Sequence, residues 1–189
     1  IPTGADPSKG CIYLGLLNDY TGPFGPLGPA LETGQRAFWL WANQSGGIGD
    51  YSVAIVEGYD TQYNPQKHLE GYKAQRGEVA ALAMSLGTPQ TQFILDDMDA
   101  DNMVAAPMSW YSGWSYKSSD RGLVVEFGAA YCADGMNAVD WALANVPVDI
   151  KTIGIMGFAG DYGGDYAAGV KAAAAANGLN VAWEYVVPS

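Results

Sequence analysis

No stretch limits what this chain can fold into more than residues 12–29. Residues 12–17, Ile-Tyr-Leu-Gly-Leu-Leu, form a short and almost wholly apolar run. That pattern suits a strand buried on both faces of a parallel sheet, since a half-exposed strand would alternate. Residues 18–29 then break regular structure, with Gly22, Pro23, Gly25, Pro26, Gly28 and Pro29 set between bulky side chains. A shaped loop is expected there rather than a linker. Beyond it Ala30, Ala37, Phe38 and Trp41 recur at helical spacing. Pro29 fits the first helical turn, where its missing N–H costs nothing. Strand, shaped loop and helix open a βαβ fold, in which ligands collect at the carboxyl ends of the strands.

The same unit repeats along the chain. The first helix is expected over 29–43, stopped by Ser45-Gly46-Gly47, and a strand over 51–57, closed by Gly58-Tyr59-Asp60. Asn64 reads as an N-cap with Pro65 behind it, opening a helix to about Arg76. Residues 79–84 make a third strand, and Thr88 reads as the N-cap of a helix reaching about Met98, whose free N–H groups would attract a carboxylate. A fourth strand covers 103–106, and the loop 107–115 is crowded with Ser109, Trp110, Tyr111, Ser112 and Trp114. Three β-α repeats mean a parallel sheet with helices on both sides. Residues 116–122 turn polar, which places a crossing there between a first lobe, 1–119, and a second, 120–189. The second lobe reads as extended chain at 123–127, a helix over 131–145, a strand over 152–158, a glycine-rich loop, a helix over 164–176 and a strand over 181–187. Its sheet is begun and not finished. Residues 1–9 read as a loosely held arm.

Charge narrows the partners. The 189 residues carry a net charge of −11 with nine Lys and Arg, so no basic face exists to neutralise phosphates. This argues against DNA, RNA and anionic membrane surfaces. No run of apolar residues is long enough to span a bilayer. Ile1 is no natural initiator, and the reading is a processed or trimmed chain in which any signal peptide has been removed or never existed. Cys11 and Cys132 are read as buried thiols, although an even count permits a bridge.

Catalytic and metal chemistry find little footing. The alternating acids Asp97, Asp99 and Asp101 resemble the start of a calcium loop, but Asn102 stands where glycine is needed and Met108 where a bidentate Glu belongs. His68 is the sole histidine, which rules out a His-rich zinc site. A Ser-His or Cys-His centre would have to use it, and its neighbours Lys67 and Glu70 place it on an exposed helix. The glycine-rich stretch 157–164 lies where a nucleotide loop would lie, yet it lacks the GxGxxG order and Asp161 would repel a phosphate. Recognition of a small molecule remains. Leu27, Thr88, Ser109, Trp110 and Tyr111 all fall in loops at the carboxyl ends of first-lobe strands, where hydroxyls and backbone N–H groups hold a carboxylate and apolar walls hold a side chain.

These residues resemble a family, the substrate-binding proteins of branched-chain amino acid ABC transporters of the leucine/isoleucine/valine-binding type. The resemblance rests on Tyr20-Thr21-Gly22-Pro23 with Gly34, Ser45-Gly46-Gly47-Ile48, Tyr59-Asp60 with Asn64-Pro65, Leu86-Gly87-Thr88 with Thr91, Pro107 to Trp110, and Asp161-Tyr162-Gly163. It implies an α/β fold of two Rossmann-like lobes with parallel sheets, the type I periplasmic-binding fold, present as its N-terminal part, since family members are roughly twice as long. It implies a non-enzymatic, cofactor-free protein outside the cytoplasm, periplasmic or extracellular and free or lipid-anchored. Such a protein binds an amino acid or similar small organic anion in an interlobe cleft and serves a membrane permease. Thr88 and Ser109 would hold the ligand's carboxylate and ammonium, Leu27 and Trp110 would line the side-chain pocket, and Tyr162 would close from the second lobe. The departures are Met108-Ser109-Trp110 and Thr88-Pro89-Gln90, where the family carries a Gly-Ala-Thr type sequence and a run of serines. The remaining C-terminal part of the chain, or a partner copy, would have to cover apolar sheet surface. Two other readings stay open: a ligand-sensing domain of a receptor or regulator on the same fold, and a Rossmann-like enzyme fragment.

Overall fold

The computed structural model describes residues 5–187, the side chain of Asp161 excepted, so residues 1–4 of the expected arm lie outside it. The chain forms two compact units, one of residues 1–108 with 120–125, the other of 109–119 with 126–189. In the first unit the order is β1 (Gly10–Asn18), α1 (Gly28–Gln44), β2 (Tyr51–Ile55), β3 (Tyr59–Asp60), α2 (Pro65–Gln75), β4 (Ala81–Leu86), α3 (Thr88–Phe93), α4 (Leu95–Asp101) and β5 (Ala105–Met108). A 3-10 turn, Ser112–Ser115, and α5 (Lys117–Asp120) follow, and the second unit continues with α6 (Tyr131–Asn145), β6 (Thr152–Phe158), α7 (Asp161–Ala176) and β7 (Asn180–Val187).

Both sheets are parallel, as the β-α alternation requires. The first runs in the order β2-β1-β4-β5, with β3 paired beside the end of β1. The apolar run of β1 becomes its centre: Leu16 and Leu17 are wholly buried, and Leu16 packs with Ile55 and Met84 under Leu31 and Trp39. Two amides repair places where the ladder lacks a partner. The register slips between Gly15 and Leu16, and there Gln75 of α2 accepts from Leu16 N at 2.9 Å and donates to Leu16 O and Glu57 O. On the edge strand β2, Asn43 exchanges two 2.8 Å bonds with the backbone of Val53. A Gln75→Leu substitution keeps the bulk but strands two buried backbone groups, each costing about 1–3 kcal/mol. The first unit is expected to lose about 3 kcal/mol, read as a lower urea midpoint.

Several expectations need correction. Thr88 is not the N-cap of α3; Gly87, at φ 102°, takes that place and Thr88 is the first helical residue. The helix expected to run to Met98 breaks at Ile94 into α3 and α4, so only a six-residue helix follows the loop. The extended chain expected at 123–127 needs no correction: Val124 makes an isolated parallel bridge to Ala105. Cys11 and Cys132 are half-buried free thiols rather than buried ones.

The second unit rests on α6 and α7, which pack closely because glycines face backbone. A Cβ on Gly169 would stand 1.9 Å from Cys132 O, and one on Gly135 would stand 2.3 Å from Tyr166 O. Val139, Ile155, Ala167, Val170 and Ala173 fill the core beneath them. Glu184 pairs with Lys171 on the helix-covered side of the sheet. Alternation therefore turns Trp183 and Tyr185, with their ladder partners Gly154 and Met156, to the opposite face, and Met156 is 71% exposed there.

Candidate functional site

The sheet order reverses between β1 and β4, and in open parallel sheets ligands lodge outside the strand ends at such a point. The loop after β1 is wound around Asp19. This fully buried carboxylate accepts from Gly22 N at 2.6 Å and Phe24 N at 2.8 Å, while Asn18 donates to Gly28 O. A Cβ on Gly28 would meet Asp19 O at 1.8 Å, so the turn into α1 requires glycine. From β3, Asp60 accepts from Tyr20 N, Thr21 Oγ1 and Gln62 N. Desolvation works against its charge, yet these hydrogen bonds outweigh it and hold the carboxyl below its ordinary range. Leu27 ends this loop with 56% of its surface open to solvent.

The loop after β4 is fixed by a buried polar chain. His68 Nε2 lies 2.8 Å from Ser85 Oγ, Ser85 Oγ shares a 2.7 Å hydrogen bond with Thr91 Oγ1, and Thr91 donates to Gly87 O at 2.8 Å. His68, Ser85 and Thr91 are all fully buried, which corrects the exposed position expected for His68. Helical periodicity held the signal: His68, Gly71, Tyr72 and Gln75 share the buried face of α2, and Lys67 and Glu70 flank it. The Ser85–His68 contact has the distance of a nucleophile and its base, but not the chemistry. Burial presses the imidazole pKa to about 3, so it is a weak proton acceptor at neutral pH. Its Nδ1 has no partner to orient it among the described residues, and neither group reaches solvent. Thr88 is also buried, at the start of α3.

In the second unit Trp110 and Tyr111 lead from β5 into the 3-10 turn, which carries Trp114. Ser109 is buried and its Oγ accepts from Trp114 Nε1 at 2.9 Å, so this hydroxyl holds the turn. Asp165 of α7 draws three donors together: Ser112 N, Ser112 Oγ and Cys132 N, at 2.9, 2.5 and 3.3 Å. Tyr131 N donates to Trp110 O. This ties the turn to the start of α6. Tyr111 stands edge-on to Trp114, while Phe127, Trp110, Tyr131, Tyr162 and Phe158 touch ring to ring in that order. Trp110 and Tyr162 are thus joined through Tyr131, a residue the sequence reading did not select; Leu27 and Thr88 belong to the first unit. The first turn of α7 follows steric demand: a Cβ on Gly163 would lie 2.1 Å from Phe158 O.

The periplasmic binding protein family model matches residues 11–189. The chain belongs to this family. Among solved structures it is similar to a fatty acid ABC transporter substrate-binding protein from Thermomonospora curvata, with 28% identity, TM-score 0.81, and coverage of 99% of this chain and 46% of that one. A branched-chain amino acid ABC transporter protein from Thermus thermophilus with bound valine gives 13% identity and TM-score 0.80 over 95% of this chain and 46% of that one. A solute-binding protein from Rhodopseudomonas palustris BisB5 in complex with 3,4-dihydroxybenzoic acid gives 16% and 0.79 over 94% and 47%. This family member spans slightly under half the length of these relatives. No curated protein matches it. The fold is the α/β type I periplasmic-binding fold that the sequence pointed to.

Proposed function

We propose that the chain belongs to the extracytoplasmic binding component of an ABC importer and takes up a small organic carboxylate, an amino acid or a similar anion, without transforming it. The observation that carries this reading is the family match over residues 11–189. Two features of the molecule support it. The loops after β1 and β4 are held rigid by buried polar side chains, which lowers the ordering cost of binding. The residues best placed for chemistry, Ser85 and His68, are sealed from any substrate. The fatty acid, valine and 3,4-dihydroxybenzoic acid named for those relatives share a carboxyl group, and an amino acid is one member of that class.

In this reading Leu27, Thr88, Ser109, Trp110, Tyr111 and Tyr162 form the recognition set, a membrane permease receives the solute, and the protein is free or lipid-anchored outside the membrane. The uncovered face of the β6–β7 sheet is the surface that the remaining part of the chain, or a partner copy, would cover. The test is a thermal-shift panel of amino acids, alkanoates and aromatic acids. A solute present at 100 times its Kd is expected to stabilise the protein by about 2.7 kcal/mol. If no member raises the melting temperature, and native mass spectrometry finds no co-purified small molecule, the reading fails.

A further inference from the structure

Gln62 and Tyr63 hold a backbone that residues with side chains avoid. Both lie in the left-handed region, at φ 51° and 52°, one directly after the other. Such a pair persists only where its surroundings impose it, and outliers of this kind gather at ligand clamps. Here the restraints can be named. Asp60 accepts from Gln62 N at 3.2 Å, Asn64 N donates to Thr61 O at 2.9 Å, and the buried Gln90 of α3 donates from Nε2 to Tyr63 O at 2.6 Å.

The turn sets the Tyr63 ring between two loops. On one side the ring meets Phe24 at a tilt, with 4.6 Å between centroids. On the other it lies against Gly87, where an added Cβ would stand 2.7 Å from Tyr63 Cε2. Phe24 belongs to the loop after β1, and its carbonyl accepts from Leu27 N; Gly87 begins the loop after β4 and precedes Thr88. One ring thus touches the supports of Leu27 and Thr88, across the point where the sheet order reverses.

We propose that Tyr63 is a positioning residue, whose ring holds the loop after β1 in a fixed register against the loop after β4 and so sets the affinity for the solute. The inference rests on the solute-binding reading above and deepens it. The hydrogen bonds around Asp19 and through Thr91 each fix one loop internally. The ring sets one loop against the other. A solute that needs both loops in one arrangement binds more weakly by the fraction of time they hold it.

Three variants of the full chain test this, with amide hydrogen exchange as the first readout. Tyr63→Ala removes the ring, Tyr63→Gly removes the ring and also relieves the backbone strain, and Tyr63→Phe keeps the ring. Exchange at Phe24 N, Leu27 N and Thr91 N is expected to quicken by about 5-fold or more in the Ala and Gly variants and to stay within about 2-fold in the Phe variant. The Gly variant is expected to have the higher urea midpoint of the two ring-less proteins, because glycine takes a positive φ without strain. Exchange that stays slow in either loop, or that recovers in the Gly variant along with stability, overturns the inference. Isothermal titration with leucine and with octanoate is the second readout. For a probe that the parent binds, Kd is expected to rise by about 5-fold or more in both ring-less variants, and an unchanged Kd overturns the inference. If the parent binds neither probe, the exchange result alone decides for or against the brace, and the solute-binding reading is decided by the thermal panel and co-purified mass.

Discussion

Gly169→Ala is expected to cost the second unit up to about 2 kcal/mol, although alanine is the better helix former. Two effects compete. Replacing glycine inside a helix gains about 1 kcal/mol from propensity. Against this, the new methyl would lie 1.9 Å from Cys132 O, a backbone atom of α6 that cannot swing aside like a side chain. The two helices must part by more than an ångström, and overpacking of this kind costs about 1–3 kcal/mol or more. The parting also loosens Val139 and Val170. The steric term therefore wins. Gly164→Ala on the same helix is the control, because a Cβ there meets nothing within 4 Å. It is expected to stabilise by up to about 1 kcal/mol. Thermal melts of the two variants should move in opposite directions; a shift in the same direction would show that α6 and α7 approach less closely than described.

Acid is expected to weaken the first unit through His68. Burial depresses the folded pKa from the ordinary 6.5 to about 3, so the folded state favours the neutral ring. The contribution is intact above pH 6.5 and is lost progressively as pH falls from there towards 3. At pH 5 the loss is about 2 kcal/mol, from 1.5 pH units at about 1.4 kcal/mol each. Because His68 is the only histidine, its imidazole resonances in NMR are unambiguous. They should not titrate between pH 7 and 4.5 while the protein stays folded. In urea unfolding, His68→Gln should flatten the decline in stability between pH 7 and 5 relative to the parent. A titration midpoint near 6.5 in the folded protein would refute the buried assignment.

The sequence made the βαβ order legible because its signals are local. The apolar run of β1, the glycine stop after α1 and the cap of α2, where Asn64 accepts from Lys67 N, can each be read within a few residues. Tertiary demands were hidden. Thr88-Pro89 looks like a cap and first turn, but Gly87 can take a positive φ and Thr88 cannot do so cheaply, so the cap moved back one residue. Nothing in residues 88–98 announces the break at Ile94, which packs wholly buried between two short helices. The site was legible as loops at strand ends and not as contacts. Ser109 looked like a free hydroxyl until its partner Trp114 was seen, and Tyr131 joins the aromatic run across twenty-one residues of sequence from Trp110. His68 was misplaced because its charged neighbours were weighed above the face it shares with Tyr72 and Gln75.

The two Asn43–Val53 bonds bear on how the protein behaves when crowded during synthesis. They occupy backbone groups of the edge strand β2, and at the other border Leu123 and Val125 are hydrogen-bonded to Ala105 of β5. Each border of the first sheet thus meets a newcomer with positions already occupied. Strand β7 pairs with β6 along one side and ends its two-stranded sheet, with Trp183, Tyr185 and Val186 exposed. Among the described residues the other side of β7 has no strand partner, and an unpaired edge beside exposed aromatic and β-branched side chains is what templates aggregation. Inclusion bodies of this protein are therefore expected to be seeded at residues 180–187, and the first unit's sheet to enter them last.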